Sequence, residues 1–160
     1  MIAVAVGYQQ IADERDARKA SEQRFVRAEK RSQAEKISAW ITWDTEAGMG
    51  AILANRSDQP VYEVVAFRVA AYGAGPQTGI QIGESSGELR TFSILPPGEQ
   101  HTSFGPGWHA MGLRPGVEIA FRDQAGLNWV RLVDGSLRRL QANSAVDYYG
   151  IAENQEWSTP

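Results

Sequence analysis

Val61-Tyr62-Glu63-Val64-Val65-Ala66-Phe67-Arg68-Val69-Ala70-Ala71-Tyr72 is apolar on both of its alternating faces. One face holds Val61, Val65, Phe67, Val69 and Ala71, interrupted by Glu63, and the other holds Tyr62, Val64, Ala66, Arg68 and Tyr72. A strand with one wet face alternates apolar with polar residues, whereas a strand covered on both faces does not. This segment is therefore expected to be a central strand, and a central strand needs neighbours.

The surrounding sequence offers them. Residues 38–43 and 49–56 read as two strands joined by an acidic, Gly-containing link. Residues 73–79 break the pattern, 80–83 read as a short strand, and 88–95 as another, stopped by Pro96-Pro97-Gly98, which cannot continue a ladder. After a loop at 105–116, Val117, Ile119 and Phe121 alternate with Glu118, Ala120 and Arg122, and Asp123 to Gly126 make a turn. Leu127, Trp129 and Arg131 then alternate with Asn128, Val130 and Leu132, which completes a hairpin. Asp134-Gly135 turns the chain into an edge strand at 137–140. About seven or eight short strands at this spacing predict a mainly β chain, an Ig-like antiparallel β-sandwich with Phe121 and Trp129 in its core.

Upstream of about Ile37 the chain changes character. Residues 9–40 contain no Pro or Gly and are rich in Ala, Glu, Gln, Arg and Lys, so one long N-terminal α-helix is expected, roughly 45 to 50 Å in length. Between Asp13 and Lys36 eight basic residues, including all three lysines, face six acidic ones, a net of +2. The remainder sets eight arginines against thirteen carboxylates, or -5, which together give the chain's -3. A β unit so charged repels phosphate backbones, and no nucleic-acid partner is expected. Ile11, Phe25, Ala28, Ile37 and Trp40 are too sparse for an apolar stripe, and Arg18 occupies the heptad position between Ile11 and Phe25. A self-sufficient coiled coil is therefore not expected; the helix reads as a solvated spacer, with a weak homo-oligomer through Ile11, Phe25 and Ala28 as the alternative.

The first eight residues, Met1 to Tyr8, are apolar-leaning but shorter than the about 20 residues that span a bilayer. They lack the basic start and small-residue cleavage site of a signal peptide. Two readings remain, a ragged helix start or the trailing end of a membrane helix that begins upstream. The second is preferred, because an apolar run leading into a basic helix resembles a cytoplasmic juxtamembrane segment. The expected organisation is an apolar start at 1–8, a charged helical stalk at 9–37, a β-sandwich at 38–142 and a tail at 143–160. The tail has two readings, a packing back on the sheet through Tyr148, Tyr149 and Trp157 or, as is commoner for a terminus, fraying.

Chemistry is thinly encoded. Without cysteine there is no disulfide framework, thiolate zinc site or cysteine nucleophile. His101 and His109, with Glu99, do not have metal-ligand spacing, so no metal is expected. Ser103 lacks the glycines of a nucleophile elbow on its N-terminal side. Asn55-Arg56-Ser57 matches a glycosylation acceptor, a common three-residue pattern. No catalytic residue and no cofactor are expected. The segment 105–115 stands out, because Trp108, His109, Met111 and Leu113 are large side chains for a Gly/Pro-rich connection. Trp108, His109 and Met111 are the candidate binding residues; the alternative is that Trp108 and Met111 fold back to cap the sandwich.

Several strings together resemble an actinobacterial family of membrane-tethered proteins with a helical stalk and a small Ig-like β domain. They are Gln33-Ala34-Glu35-Lys36-Ile37-Ser38-Ala39-Trp40, Asn55-Arg56-Ser57-Asp58-Gln59-Pro60-Val61-Tyr62, Leu95-Pro96-Pro97-Gly98-Glu99 and Arg114-Pro115-Gly116-Val117-Glu118-Ile119-Ala120-Phe121-Arg122-Asp123, with Gly126, Trp129 and Arg131. The likeness covers most of 30–150 and implies no activity and no functional residues. Where that group often has His before the Trp, this chain has Asn128, which argues against an essential histidine there. The function expected is a non-catalytic, membrane-tethered protein-interaction module with its β domain in the cytoplasm. A carbohydrate-binding head with Trp108, Trp129 or Trp157 as stacking platforms is the alternative.

Overall fold

A computed structural model describes residues 3–44, 48–83, 87–106, 112–152 and 157–158. The chain forms two units, Met1–Ser32 and Gln33–Pro160. The first is the body of helix α1 (Ala3–Glu35), on which Ile11, Phe25 and Val26 are exposed. Among the described residues no helix is long and apolar enough to cross a membrane. The last turn of α1 belongs to the second unit. It ends two residues before Ile37, where the extended backbone of β1 begins.

The second unit is mainly β. Its strands are β1 (Ile37–Asp44), β2 (Gly48–Asn55), β3 (Val61–Tyr72), β4 (Leu89–Leu95), β5 (Gly98–Gly105), β6 (Arg114–Arg122), β7 (Asn128–Arg131) and β8 (Leu137–Arg139). They form two antiparallel sheets, β1-β2-β5 and β4-β3-β6-β7-β8. The expected central strand is β3, paired on both sides and buried on both faces from Val64 to Ala70. Phe121 and Trp129 lie as expected in the core between the sheets, with Ile37, Leu53, Val64, Phe92, Phe104 and Ile119.

Three local expectations are corrected. Val61 does not share a face with Val65: a register shift between Tyr62 and Val65, with Glu63 at φ 49, turns Val61 to the same core as Val64 and Ala66. Such a bulge inserts a residue and reverses the alternation beyond it. Residues 80–83 are not a strand, because Gly79–Ile82 form a single helical turn, α2. Its sequence carries a capping box, Thr78 with Gln81 three residues on, and Gln81 Oε1 accepts from the N–H groups of Gln77 and Thr78. Finally, β5 occupies 98–105, which the alternation did not reveal. Its outward residues Glu99, His101 and Ser103 are exposed and only Phe104 is fully buried, so the apolar signal of a half-buried strand is missing.

A second core covers the other face of the five-stranded sheet. Val65, Phe67, Val69, Ala120 and Val130 pack there against α3 (Ala145–Tyr149), with Ile151 and Trp157 alongside. Ser144 caps α3 by accepting from the Asp147 N–H at 3.0 Å, and Gly150 ends it in the left-handed conformation. The tail thus folds because Tyr149 reaches the sheet, its ring centroid 4.7 Å from that of Phe67.

Candidate functional site: two poles of the β unit

The connections between strands gather at two poles. At the first, where the chain enters this unit, Gln33 Nε2 donates to the carbonyls of Gln59 and Pro60 at 3.1 Å, and Gln33 Oε1 accepts from the Gln124 N–H at 2.9 Å. Arg131 donates to the carbonyls of Glu35 and Ile37, at 3.1 and 2.6 Å. A helix end leaves carbonyls without partners, and a cation with several donors satisfies them. Asn55 locks the neighbouring turn: its Nδ2 donates to Gln59 O and Leu95 O, and its Oδ1 accepts from Ser57 N and Ser57 Oγ. Only 1% exposed and with its amide nitrogen engaged, Asn55 is not a glycosylation acceptor in this fold.

The opposite pole gathers the strand ends at Gly48, Tyr72, Gly105 and Arg114. Gly48 and Gly73 allow their close approach. A Cβ on Gly48 (φ 83) would lie 2.9 Å from Gly105 O, and one on Gly73 (φ 97) would lie 2.7 Å from Gly112 O. Positive φ and contact with backbone both select glycine. Tyr72, at the end of β3, is 69% exposed on this pole. Trp108, His109 and Met111 belong to the 106–113 connection and lie outside the described residues; Leu113 is half-buried.

Beneath this pole sits a charged cluster that spacing did not reveal. Arg68, 3% exposed, is clasped by the Glu88 carboxylate through its Nε and Nη2. Its Nη1 donates to Pro106 O at 2.8 Å and lies 3.6 Å from Met49 Sδ. Arg90 donates from Nε to Ser103 O at 2.7 Å and from Nη1 to Leu89 O at 2.6 Å. Both guanidinium groups approach the Phe104 ring, at 5.8 and 5.4 Å from its centroid. Burial lowers the Arg90 pKa from its ordinary value, Glu88 opposes that shift and Arg68 adds to it. The cluster thus holds the start of the 106–113 connection through Pro106 O. The sequence signal was Arg68 itself, a charge in an apolar strand that has to find a partner.

Glu118 is a second buried ionisable side chain with its own network. Its Oε1 accepts from Tyr149 OH at 2.6 Å and from Gly79 N at 3.3 Å, while Oε2 has no hydrogen-bond partner among the described residues. Burial raises the Glu118 pKa, and the two hydrogen bonds only partly oppose this. The network ties β6 to α2 and α3. Because the folded state holds this proton more tightly than the unfolded chain, its stabilisation is complete below the ordinary glutamate range and is lost as pH rises through the raised value. Glu118→Gln removes that titration. Chemical denaturation at a series of pH values should show the variant gaining on the native chain as pH rises, by at most about 1.4 kcal/mol per pH unit. A difference that stays flat with pH contradicts a protonated Glu118.

The remaining sequence candidates are dispersed. Glu99, His101 and Ser103 lie on the exposed face of β5, on a strand rather than in a loop. Among the described residues no three His, Asp or Glu side chains group as a metal site. Trp129 is 6% exposed and its Nε1 donates to Asp123 Oδ2 at 2.7 Å, so it is a core residue and not a sugar platform. Trp157 is partly buried against the second core. Fold and site together define a mainly β unit of two antiparallel sheets with a helix leading into it. Compared with known proteins, the chain matches no family model, no curated protein and no solved structure.

Proposed function

We propose that this chain is a non-catalytic, membrane-tethered interaction module whose β unit is an Ig-like sandwich facing the cytoplasm. The strand order supports the Ig-like reading. β1-β2-β5 against β4-β3-β6-β7 follows the A-B-E and C′-C-F-G arrangement of such sandwiches, with β8 added at one edge. The tether rests on the apolar first eight residues, which run into a stretch of net basic charge, and on the family resemblance.

One observation carries the binding role. Gln33 brings the chain in at one pole, while exposed Tyr72 stands at the other. Sandwiches commonly present end loops to partners. A photo-crosslinking residue at position 72 is expected to give discrete protein adducts in cells that one at exposed Asp58, on the attachment pole, does not give. Equal labelling from both positions, or none from position 72, would count against the reading. Fractionation of the same cells tests the tether separately, with the chain expected in the membrane pellet.

A further inference from the structure

The two sheets have four edges, and three of them are guarded. Ser158 covers β4, donating from its N–H to Thr91 O at 3.0 Å and accepting from Ser93 N–H at 3.2 Å. Arg90 donates to Ser103 O on β5, which also begins Gly98-Glu99. β8 is three residues long and includes Arg138 and Arg139. Covering, charge and shortness are the usual protections of an edge. Among the described residues β1 has none of them along Ala39 to Trp43, a run without charge, Pro or Gly.

The pairing of β1 with β2 shows which groups that edge presents. Lys36 O accepts from Arg56 N, so the alternation of an antiparallel ladder directs residues 38, 40 and 42 toward β2 and residues 37, 39, 41 and 43 away. Arg131 takes the outward carbonyl of Ile37. The N–H and C=O groups of Ala39, Ile41 and Trp43 line the rest, and the Trp43 side chain is 66% exposed.

The sequence of this edge complements itself. About Trp40, Ala39 mirrors Ile41, Ser38 mirrors Thr42, Ile37 mirrors Trp43, and Lys36 mirrors Asp44. In an antiparallel pair of identical strands centred on Trp40, apolar residues therefore meet apolar, hydroxyl meets hydroxyl, and Lys36 of each copy meets Asp44 of the other. Residues directly opposite share a face, as each of these pairs does. Ala39 and Ile41 exchange the hydrogen bonds, and Trp40 faces its counterpart in a pair without hydrogen bonds, where side chains lie closest. We propose that β1 pairs in this way with β1 of a second copy of the chain, joining two three-stranded sheets into one of six strands.

Cysteine crosslinking and sedimentation of the full chain test it. The native chain has no cysteine, so any disulfide reports the introduced position. Trp40→Cys should oxidise to a disulfide dimer, because such pairs have Cα atoms about 4.5 Å apart, within disulfide reach. Ser38→Cys alone should not, since Thr42 of the second copy faces it. In sedimentation velocity the native chain should dimerise as its concentration rises. Ala39→Pro removes an outward N–H that β2 does not use and should leave a monomer. Asp44→Lys should weaken association about tenfold through two like-charge pairs, and Lys36→Asp added to it should restore it. A chain monomeric at all concentrations overturns the proposal, as does a dimer indifferent to a folded Ala39→Pro, or equal crosslinking from positions 38 and 40. If Ala39→Pro fails to fold by circular dichroism, the charge exchange decides, and failure of Lys36→Asp to rescue Asp44→Lys overturns the register.

Discussion

Arg68→Ala is expected to destabilise the β unit by about 3–5 kcal/mol, the usual cost of removing one member of a buried ion pair. The loss has two parts. Glu88 is left without the guanidinium that clasps it, and Pro106 O loses a charge-assisted donor at 2.8 Å. Glu88 is partly solvent-accessible and regains some hydration, which places the result toward the lower end of that range. Urea unfolding followed by near-ultraviolet circular dichroism measures it. Replacing both members, Arg68→Met with Glu88→Gln, should recover part of the loss, because no buried charge is then left alone. A loss below about 1 kcal/mol for Arg68→Ala, the range of an exposed pair, would show that the pair is not buried as described. The same variant frees the start of the 106–113 connection, so proteolysis there should quicken before global unfolding does.

Phe121→Ala should cost about 3–5 kcal/mol, because a fully buried aromatic leaves both lost transfer energy and a cavity. Its ring lies between the sheets, where β6 and β7 pair it in register with Trp129. Neighbours drawn from both sheets cannot all collapse into the space without shifting strands. For a unit of this size the thermal midpoint should fall by about 10–20 °C. Thermal melts of the native chain and the variant give this directly. Phe121→Leu should fall well short of that loss, since most of the volume is kept. Equal effects from Leu and Ala would mean that the site is not close-packed.

Much of this was legible along the chain, for identifiable reasons. β3 and the β6–β7 hairpin announced themselves because strands buried on two faces, or on one with a short turn, carry dense apolar patterns. β5 stayed hidden because half its residues face water and its pairing with β2 supplies the rest. Gly79–Ile82 looked like a strand because four apolar-leaning residues fit either period; the capping box of Thr78 and Gln81 was the readable signal. The bulge at Glu63 left no mark, since a positive φ at a non-glycine residue is imposed by neighbours. Of the site, the 105–115 connection was legible by composition, with Trp108, His109 and Met111 outside the described residues. The Arg68–Glu88 clasp beneath it was not, because twenty residues of chain separate its members.

By itself, the sequence determined what local chemistry and periodicity can specify: a helix where Pro and Gly are absent, strands where apolar residues alternate, turns at Asp123 and Asp134, and the near-palindrome around Trp40. Only the tertiary structure decided which face each residue took beyond Glu63, which partner each buried charge found, and which stretch of sheet edge the described residues leave uncovered. Those outcomes depend on packing between segments distant in the chain. A pattern read one strand at a time holds no record of its neighbours.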